Sequence, residues 1–252
     1  MKTIVTAGKG GTGKSMILSH LLRRHILGNG FGKVLVVDAD PHQSLATLLG
    51  AQSSPTLGAL RHQHSIELKT GQGLKGIGRR DFARQLAQEA IVAIEGADLL
   101  VMGHNEQPGC QCVVNNLLGS TLDAVAEDYD LVVVDNEAGI EPIGRHDWPL
   151  DYLLLVSGPR PMELDVIRQI LDRRRDVGRG IGCACLLLNR SLAGQEIGAD
   201  IPRETGLIGT LPYSESLALY ETPDEAWLDA LHRAWANVYS LMMGKKLQGS
   251  RL

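Results

Sequence analysis

The sequence predicts an α/β fold, a doubly wound and mainly parallel sheet in a single domain spanning residues 1–252. Three observations carry that reading. Short apolar runs alternate along the chain with stretches whose apolar residues recur every three or four positions, the pattern of strands joined by helical crossovers. Two runs, KVLVVD and LVVVD, stay apolar up to a terminal aspartate, as strands covered on both faces do. No internal repeat, low-complexity tract or domain-marking linker interrupts the alternation.

Taken in order, Lys2–Ala7 is a strand and Gly13–Leu27 a helix with Ile17, Leu18, Leu21 and Leu22 on its buried face. The glycines of Gly28–Gly32 stop that helix, and Lys33–Asp38 is the next strand. Gly71–Gly78 carries four glycines and is a loop. Then follow a helix (Arg80–Glu95), a strand (Asp98–Met102), a helix (Val114–Glu127) and the strand Leu131–Asp135. Tyr152–Ser157, Glu163–Asp176 and Gly182–Asn189 continue as strand, helix and strand. Glu225–Met243 is a closing amphipathic helix. Its stripe of Trp227, Leu228, Leu231, Trp235, Val238, Leu241 and Met242 is read as docking on the sheet rather than on a membrane.

Composition narrows the function. Of 252 residues, 44% are hydrophobic and 21% charged, which excludes a disordered chain. Lys plus Arg number 25 against 29 Asp plus Glu, so a globally basic nucleic-acid binder is disfavoured. The N-terminus meets glycines too early for a secretory signal, and the apolar runs are too short to span a bilayer. The expected place is the cytoplasm, without stable membrane insertion and without nucleic acid. In that reducing setting the four cysteines, two C-x-C pairs, call for metal or reactive chemistry rather than disulfides.

The strongest motif is Gly8-Lys9-Gly10-Gly11-Thr12-Gly13-Lys14-Ser15, with Met16 next. It fits G-x-x-x-x-G-K-[ST] after a strand and before a helix, the context that separates a phosphate loop from an accidental glycine-rich turn. Its glycines let backbone N–H groups curl around a polyphosphate at the positive end of a helix. Lys14 is expected at the terminal phosphates, and Ser15 on Mg²⁺.

Lys9 makes this loop resemble the deviant phosphate loop of the family that holds MinD, ParA, the nitrogenase iron protein and the arsenite-pump ATPases. The resemblance implies a P-loop NTPase of the MinD/nitrogenase-iron-protein type, an ATPase that uses ATP/ADP and Mg²⁺ and turns over slowly as a homodimer. It also implies that Lys9 reaches the partner subunit's nucleotide, a cation supplied in trans to the transferring phosphoryl group. Val36–Leu45 (VVDADPHQSL) resembles the family's first switch, which gives Asp40 the attacking water and Asp38 the Mg²⁺ shell. Asp135, ending LVVVD, takes the Walker-B place for a magnesium-bound water. Asn189 and Arg190 resemble the adenine-contacting strand end, and Pro212 and Tyr213 the loop beside the base.

Cys110 and Cys112 precede the helix beginning near Val114. Two thiolates cannot close a tetrahedral zinc site, but the same pair repeated across a two-fold dimer supplies four. Spacing alone leaves that reading beside one of two inert cysteines. The run LLVMGHNEQPGCQCVVNNLL and the segment Val134–Glu141 (VDNEAGIE) resemble the nickel-insertion ATPases serving carbon monoxide dehydrogenase, the CooC type. That likeness implies Ni²⁺ or Zn²⁺ bound between two subunits and a nickel metalloenzyme as client. The likeness runs from about Met1 to Tyr220, with His42 and Asn136 as departures.

Other features are read as structural. Cys183 and Cys185 lie on one face of a buried strand, His62 and His64 in a solvated loop, and His104 flanks the C-x-C. Arg173–Arg175 and Arg179 form a short solvated basic cluster. Two rival functions stay open: a positioning ATPase that binds membrane or DNA, and an iron–sulfur reductase component.

Overall fold

The computed structural model describes residues 1–52, 54–69, 78–106, 112–139, 150–176, 180–192, 201–218 and 222–244. Their strands are β1 (Lys2–Ala7), β2 (Val34–Ala39), β3 (Val92–Ile94), β4 (Ala97–Val101), β5 (Leu131–Asn136), β6 (Leu150–Ser157), β7 (Ile181–Ser191) and β8 (Gly206–Pro212). The helices are α1 (Lys14–Leu21), α2 (Ser44–Leu48), α3 (Leu57–Lys69), α4 (Arg79–Ala90), α5 (Cys112–Val125), α6 (Pro161–Asp176), α7 (Glu215–Ala218) and α8 (Glu225–Met242). The strands form one eight-stranded sheet in the order β3-β4-β2-β5-β1-β6-β7-β8. β2 runs parallel to both β4 and β5, and β7 parallel to β6 and β8, while β3 is an antiparallel edge on β4. This is the expected doubly wound, mainly parallel α/β fold.

The described residues divide into two compact units. The first holds Met1–Ile4 and Leu22–Glu137. Its core is the apolar length of β2, β4 and β5, with Leu86 and Ala87 of α4 and Val114, Leu118 and Leu122 of α5, all buried. Arg84 of α4 ties the end of α5 by donating to the Ala124 carbonyl and the Asp128 carboxylate, each at 3.0 Å. The second unit holds Val5–Leu21, residues 138–139 and the described residues from 150 onward. There Trp227, Leu231, Ala234, Trp235, Val238 and Met242 of α8 are buried, so the stripe on the last helix docks inside the protein.

Several boundaries differ from the sequence reading, each for a local reason. The first helix leaves α-geometry after Leu21 and closes with a π-helical turn over Leu22–Ile26, where the Leu27 amide donates to the Leu22 carbonyl at 2.9 Å. That extra residue per turn buries both Leu22 and Ile26. The helix expected through Glu95 ends at Ala90, because Ile91 turns extended and Val92–Ile94 pairs with β4 across Gly96 (φ +76°). β8 escaped the sequence reading because Gly206, Gly209 and Pro212 dilute its apolar pattern. His62 and His64 lie on α3, not in a loop. The His64 ring sits between Glu67 (3.1 Å) and Glu89 (2.8 Å) and packs edge-on against Phe82, so it ties α3 to α4. Most of the loop Gly71–Gly78 and the residue Arg179 lie outside the described residues.

No helix among the described residues is long and apolar enough to cross a membrane.

Candidate functional site

The loop Gly8–Ser15 joins β1 to α1 in the second unit, and its backbone is shaped by glycine. Gly8, Gly11 and Gly13 have φ of +149°, +78° and +92°, conformations that other residues rarely adopt. A Cβ at Gly8 would lie 2.1 Å from the Val156 carbonyl oxygen of β6, so the loop can leave the sheet here only with glycine. A Cβ at Gly11 would meet no neighbouring atom, so there it is the backbone conformation that calls for glycine. Thr12 closes the curl, its hydroxyl donating to the Lys9 carbonyl at 2.9 Å.

Lys14 is buried, and its ammonium is folded into the loop, donating to the Gly8 and Lys9 carbonyls at 3.3 and 3.4 Å. With its ammonium turned into a glycine-shaped loop at the start of a helix, the loop suits an anion such as a phosphate group. Lys9 and Ser15 are half-buried and Gly10 is exposed. The Gly139 amide donates to the Gly8 carbonyl at 3.2 Å, which seats the Ala-Gly pair of the Val134–Glu141 segment on the phosphate loop.

Beside the loop lies a cavity of about 560 Å³, within the range that holds a nucleoside-sized ligand. Gly13, Met16, Asn189, Arg190, Tyr213 and Trp227 are among its walls. Asn189 organises it. Its amide donates to the Thr12 carbonyl at 2.9 Å, and its oxygen accepts from the Arg190 amide at 3.0 Å and the Trp227 indole N–H at 3.4 Å. Arg190 itself adopts a left-handed φ of +61° at the irregularity of β7 between Leu188 and Ser191. Thus Met16, Asn189, Arg190 and Tyr213 meet at one cavity, while Pro212 pairs with Ser191 and is not in its described lining. Trp227, together with Arg160 and Glu163 at the start of α6, lines the cavity and was not assigned to the site from sequence. Its place on a helical stripe signalled burial, and nothing in the spacing tells which end of the helix meets a cavity.

The carboxylates belong to the first unit. Asp38 and Asp135 are directly paired in the β2–β5 register and both are fully buried. The Asp40 and Ala46 amides donate to the Asp38 carboxylate at 3.1 and 2.8 Å, folding the chain after β2 around it. Burial pushes the Asp38 carboxyl up to about 7; the two amides pull it back, and the neighbouring charges of Asp135 and Asp40 push it further. Two buried carboxylates in register are a repulsive arrangement that a divalent cation would relieve, so this pair fits magnesium. Asp40 is half-buried and accepts from the His42 amide and the Ser44 hydroxyl, both at 3.0 Å. His42 touches His104 edge-to-face, with ring centroids 5.5 Å apart.

Cys112 is the first residue of α5, half-buried and disulfide-bonded in this structure. Cys110 lies outside the described residues. Among the described residues no group of three or more His, Cys, Asp or Glu side chains is placed to hold a metal ion. Cys183 and Cys185 are free thiols on one face of β7 as expected, Cys185 buried and Cys183 half-buried. The contact between the two sulfurs lowers the Cys183 pKa to about 7 against the opposing effect of burial, and it raises that of Cys185, which burial raises further.

The sheet, the glycine-shaped loop and its inward lysine define a P-loop nucleotide-binding protein. The chain belongs to the CobQ/CobB/MinD/ParA nucleotide-binding domain family, whose pattern matches residues 3–221. An uncharacterised ATP-binding protein of Methanocaldococcus jannaschii is 31% identical over 86% of this chain and 87% of its own length. The carbon monoxide dehydrogenase accessory protein CooC of Rhodospirillum rubrum is 29% identical over 90% of this chain and 88% of its own. Among solved structures, the septum site-determining protein MinD of Pyrococcus horikoshii, complexed with Mg-ADP, superposes with a TM-score of 0.63 at 19% identity, covering 98% of this chain and 99% of that one. A chain of the MinC:MinD cell division protein complex of Aquifex aeolicus gives 0.65 at 18% identity over 100% of this chain and 99% of that one. These structures share the fold.

Proposed function

We propose that this protein is a slow, dimer-dependent Mg-ATPase whose nucleotide cycle governs a thiolate metal site and supports metal insertion into a client enzyme of the carbon monoxide dehydrogenase kind. The similarity to the CooC accessory protein along nine-tenths of the chain carries this reading. Cys112 at the head of α5 supports it once its disulfide is reduced, because the N-terminus of a helix favours a thiolate.

In this cycle the amides of Gly10–Gly13 and the ammonium of Lys14 hold the β- and γ-phosphates, and Lys14 exchanges its two loop carbonyls for phosphate oxygens. Asn189, Arg190 and Tyr213 enclose the base, with Pro212 on the strand end that carries Tyr213. Lys9 serves the partner subunit's nucleotide, adding a positive charge where the transferring phosphoryl group becomes more negative. Asp40 orients the attacking water. By the family likeness, Ser15 of the phosphate loop and the aspartates Asp38 and Asp135 are the residues that would hold magnesium and its water shell, and that ion would neutralise phosphate charge when bound. Loss of the γ-phosphate releases the switch segments around Asp40 and Gly139, loosening the dimer and changing the geometry at Cys110 and Cys112. Ni²⁺ or Zn²⁺ is the cargo, taken up only by the reduced thiols.

The test is sizing with light scattering and metal analysis on one reduced, anaerobic sample, with and without added Ni²⁺ or Zn²⁺. One metal per two chains, with monomer converting to dimer and loss of both in Cys110→Ala/Cys112→Ala, is the expected result. Absence of metal uptake, with ATP alone driving dimerisation, would overturn it.

That second outcome favours a positioning ATPase of the MinD/ParA type, which the likeness in fold to MinD also supports. It requires ATP-dependent binding to lipid or DNA, measurable by co-sedimentation.

A further inference from the structure

Cys183 and Cys185 have no part in the nucleotide cycle. Both point to the same side of β7, and their Sγ atoms are 3.6 Å apart. Cys185 is buried, whereas Cys183 is half-buried beside the exposed Gly182 near the start of the strand, so the pair has an open side. Tyr152 of β6 is the register partner of Cys183, and its hydroxyl donates to the Leu241 carbonyl in the last turn of α8 at 3.5 Å. Asn189, at the nucleotide cavity, lies six residues further along the same strand, about 20 Å away at strand rise.

Two neighbouring thiols can close a disulfide or chelate an ion, and distance decides between them. Residues i and i+2 of a strand have Cα atoms roughly 6.6–6.8 Å apart, at the upper limit for a disulfide of about 6.8 Å. The sulfurs would also have to close from 3.6 Å to about 2.05 Å against the sheet's hydrogen bonds. A tetrahedral ion bound to two sulfurs at about 2.3 Å needs them about 3.75 Å apart. The pair already stands within a few tenths of an ångström of that spacing.

We propose that Cys183 and Cys185 form a bidentate dithiolate site for a thiophilic divalent cation of the Zn²⁺/Cd²⁺ class. The site is separate from Cys110 and Cys112 and independent of the function proposed above. The chain supplies two ligands where a structural zinc site has four, and water reaching the Cys183 side completes the shell. Such a site exchanges its ion readily and suits uptake and release.

The experiment uses the full chain carrying Cys110→Ser and Cys112→Ser, reduced with a phosphine and titrated with Cd²⁺. Binding is read as sulfur-to-cadmium charge-transfer absorption and as metal retained after desalting. One Cd²⁺ per chain is expected, with loss of both signals on adding Cys183→Ser, a half-exposed position where the fold tolerates the change. With both cysteines intact, bound Cd²⁺ protects Cys183 from alkylation in a peptide map, which tests the site even if a variant fails to fold. No uptake by the Cys110→Ser/Cys112→Ser protein, or uptake that survives Cys183→Ser, overturns the proposal. So does ready conversion of the pair to a disulfide by peroxide, with loss of two hydrogens, in a protein that takes up no Cd²⁺.

Discussion

Asp38 and Asp135 stand opposite each other at the ends of neighbouring parallel strands, both with no exposed surface. The parallel register aligns strand ends that lie almost a hundred residues apart in the chain. Burial, joined by the charge of Asp135, raises the Asp38 carboxyl against the pull of two backbone amides.

The first prediction follows from Asp38. Its carboxyl rises from 3.8 to about 7 on folding, so between those values the folded state holds a proton that the unfolded chain has released. Stability of the metal-free protein therefore falls as pH rises from about 4 to about 7 and levels off above, by up to about 4 kcal/mol. Denaturation in the presence of a magnesium chelator checks this. The slope should flatten in Asp38→Asn; an unchanged slope would assign the proton to another group.

The two lysines of the phosphate loop should separate binding from turnover. Lys14→Ala removes a buried cation and should weaken ADP and ATP binding about 10- to 100-fold, the worth of a charged hydrogen bond. Lys9→Ala should leave nucleotide affinity nearly intact while lowering ATP turnover by about 10³ or more, the usual loss for a cation supplied in trans. Equilibrium titration with a fluorescent nucleotide, beside phosphate-release kinetics, distinguishes the two. Equal losses in both variants would place Lys9 in ground-state binding.

Trp227 should report the nucleotide directly. It walls the cavity and is hydrogen-bonded to Asn189. In a Trp148→Phe/Trp235→Phe protein, ADP should change the emission of the remaining indole. Asn189→Ala strands the Thr12 carbonyl and the Trp227 N–H, costing about 1–3 kcal/mol of stability. It should also weaken nucleotide binding. Emission that ignores ADP would exclude this cavity as the base site.

Gly32 offers a test of the fold away from the nucleotide. Its φ is +74°, and a Cβ there would lie 2.2 Å from the Asp130 carboxylate oxygen that accepts the Lys33 amide at 2.8 Å. Gly32→Ala should lower stability by about 1–3 kcal/mol through backbone strain and the displaced hydrogen bond. Gly28→Ala has the same sign of φ but meets no neighbouring atom, so it should lose only the strain component. Chemical denaturation of the two variants separates the contributions.

What the sequence determined by itself is local. The phosphate loop was legible because its glycines and Lys14 act within eight residues, where backbone conformation follows residue type. β2 and β5 were legible because an unbroken apolar run has few alternatives once both faces must be covered. What only the tertiary structure decided is which distant groups meet. Strand register brought Asp38 to Asp135, helix docking carried Trp227 to Asn189, and pairing with β4 drew Val92–Ile94 out of a helical stretch. His64 became a tie between helices because α4 delivered Glu89 and Phe82 to it. The deciding partners lie from three to almost a hundred residues away, and their contact energy outweighs the local preference that the sequence displays.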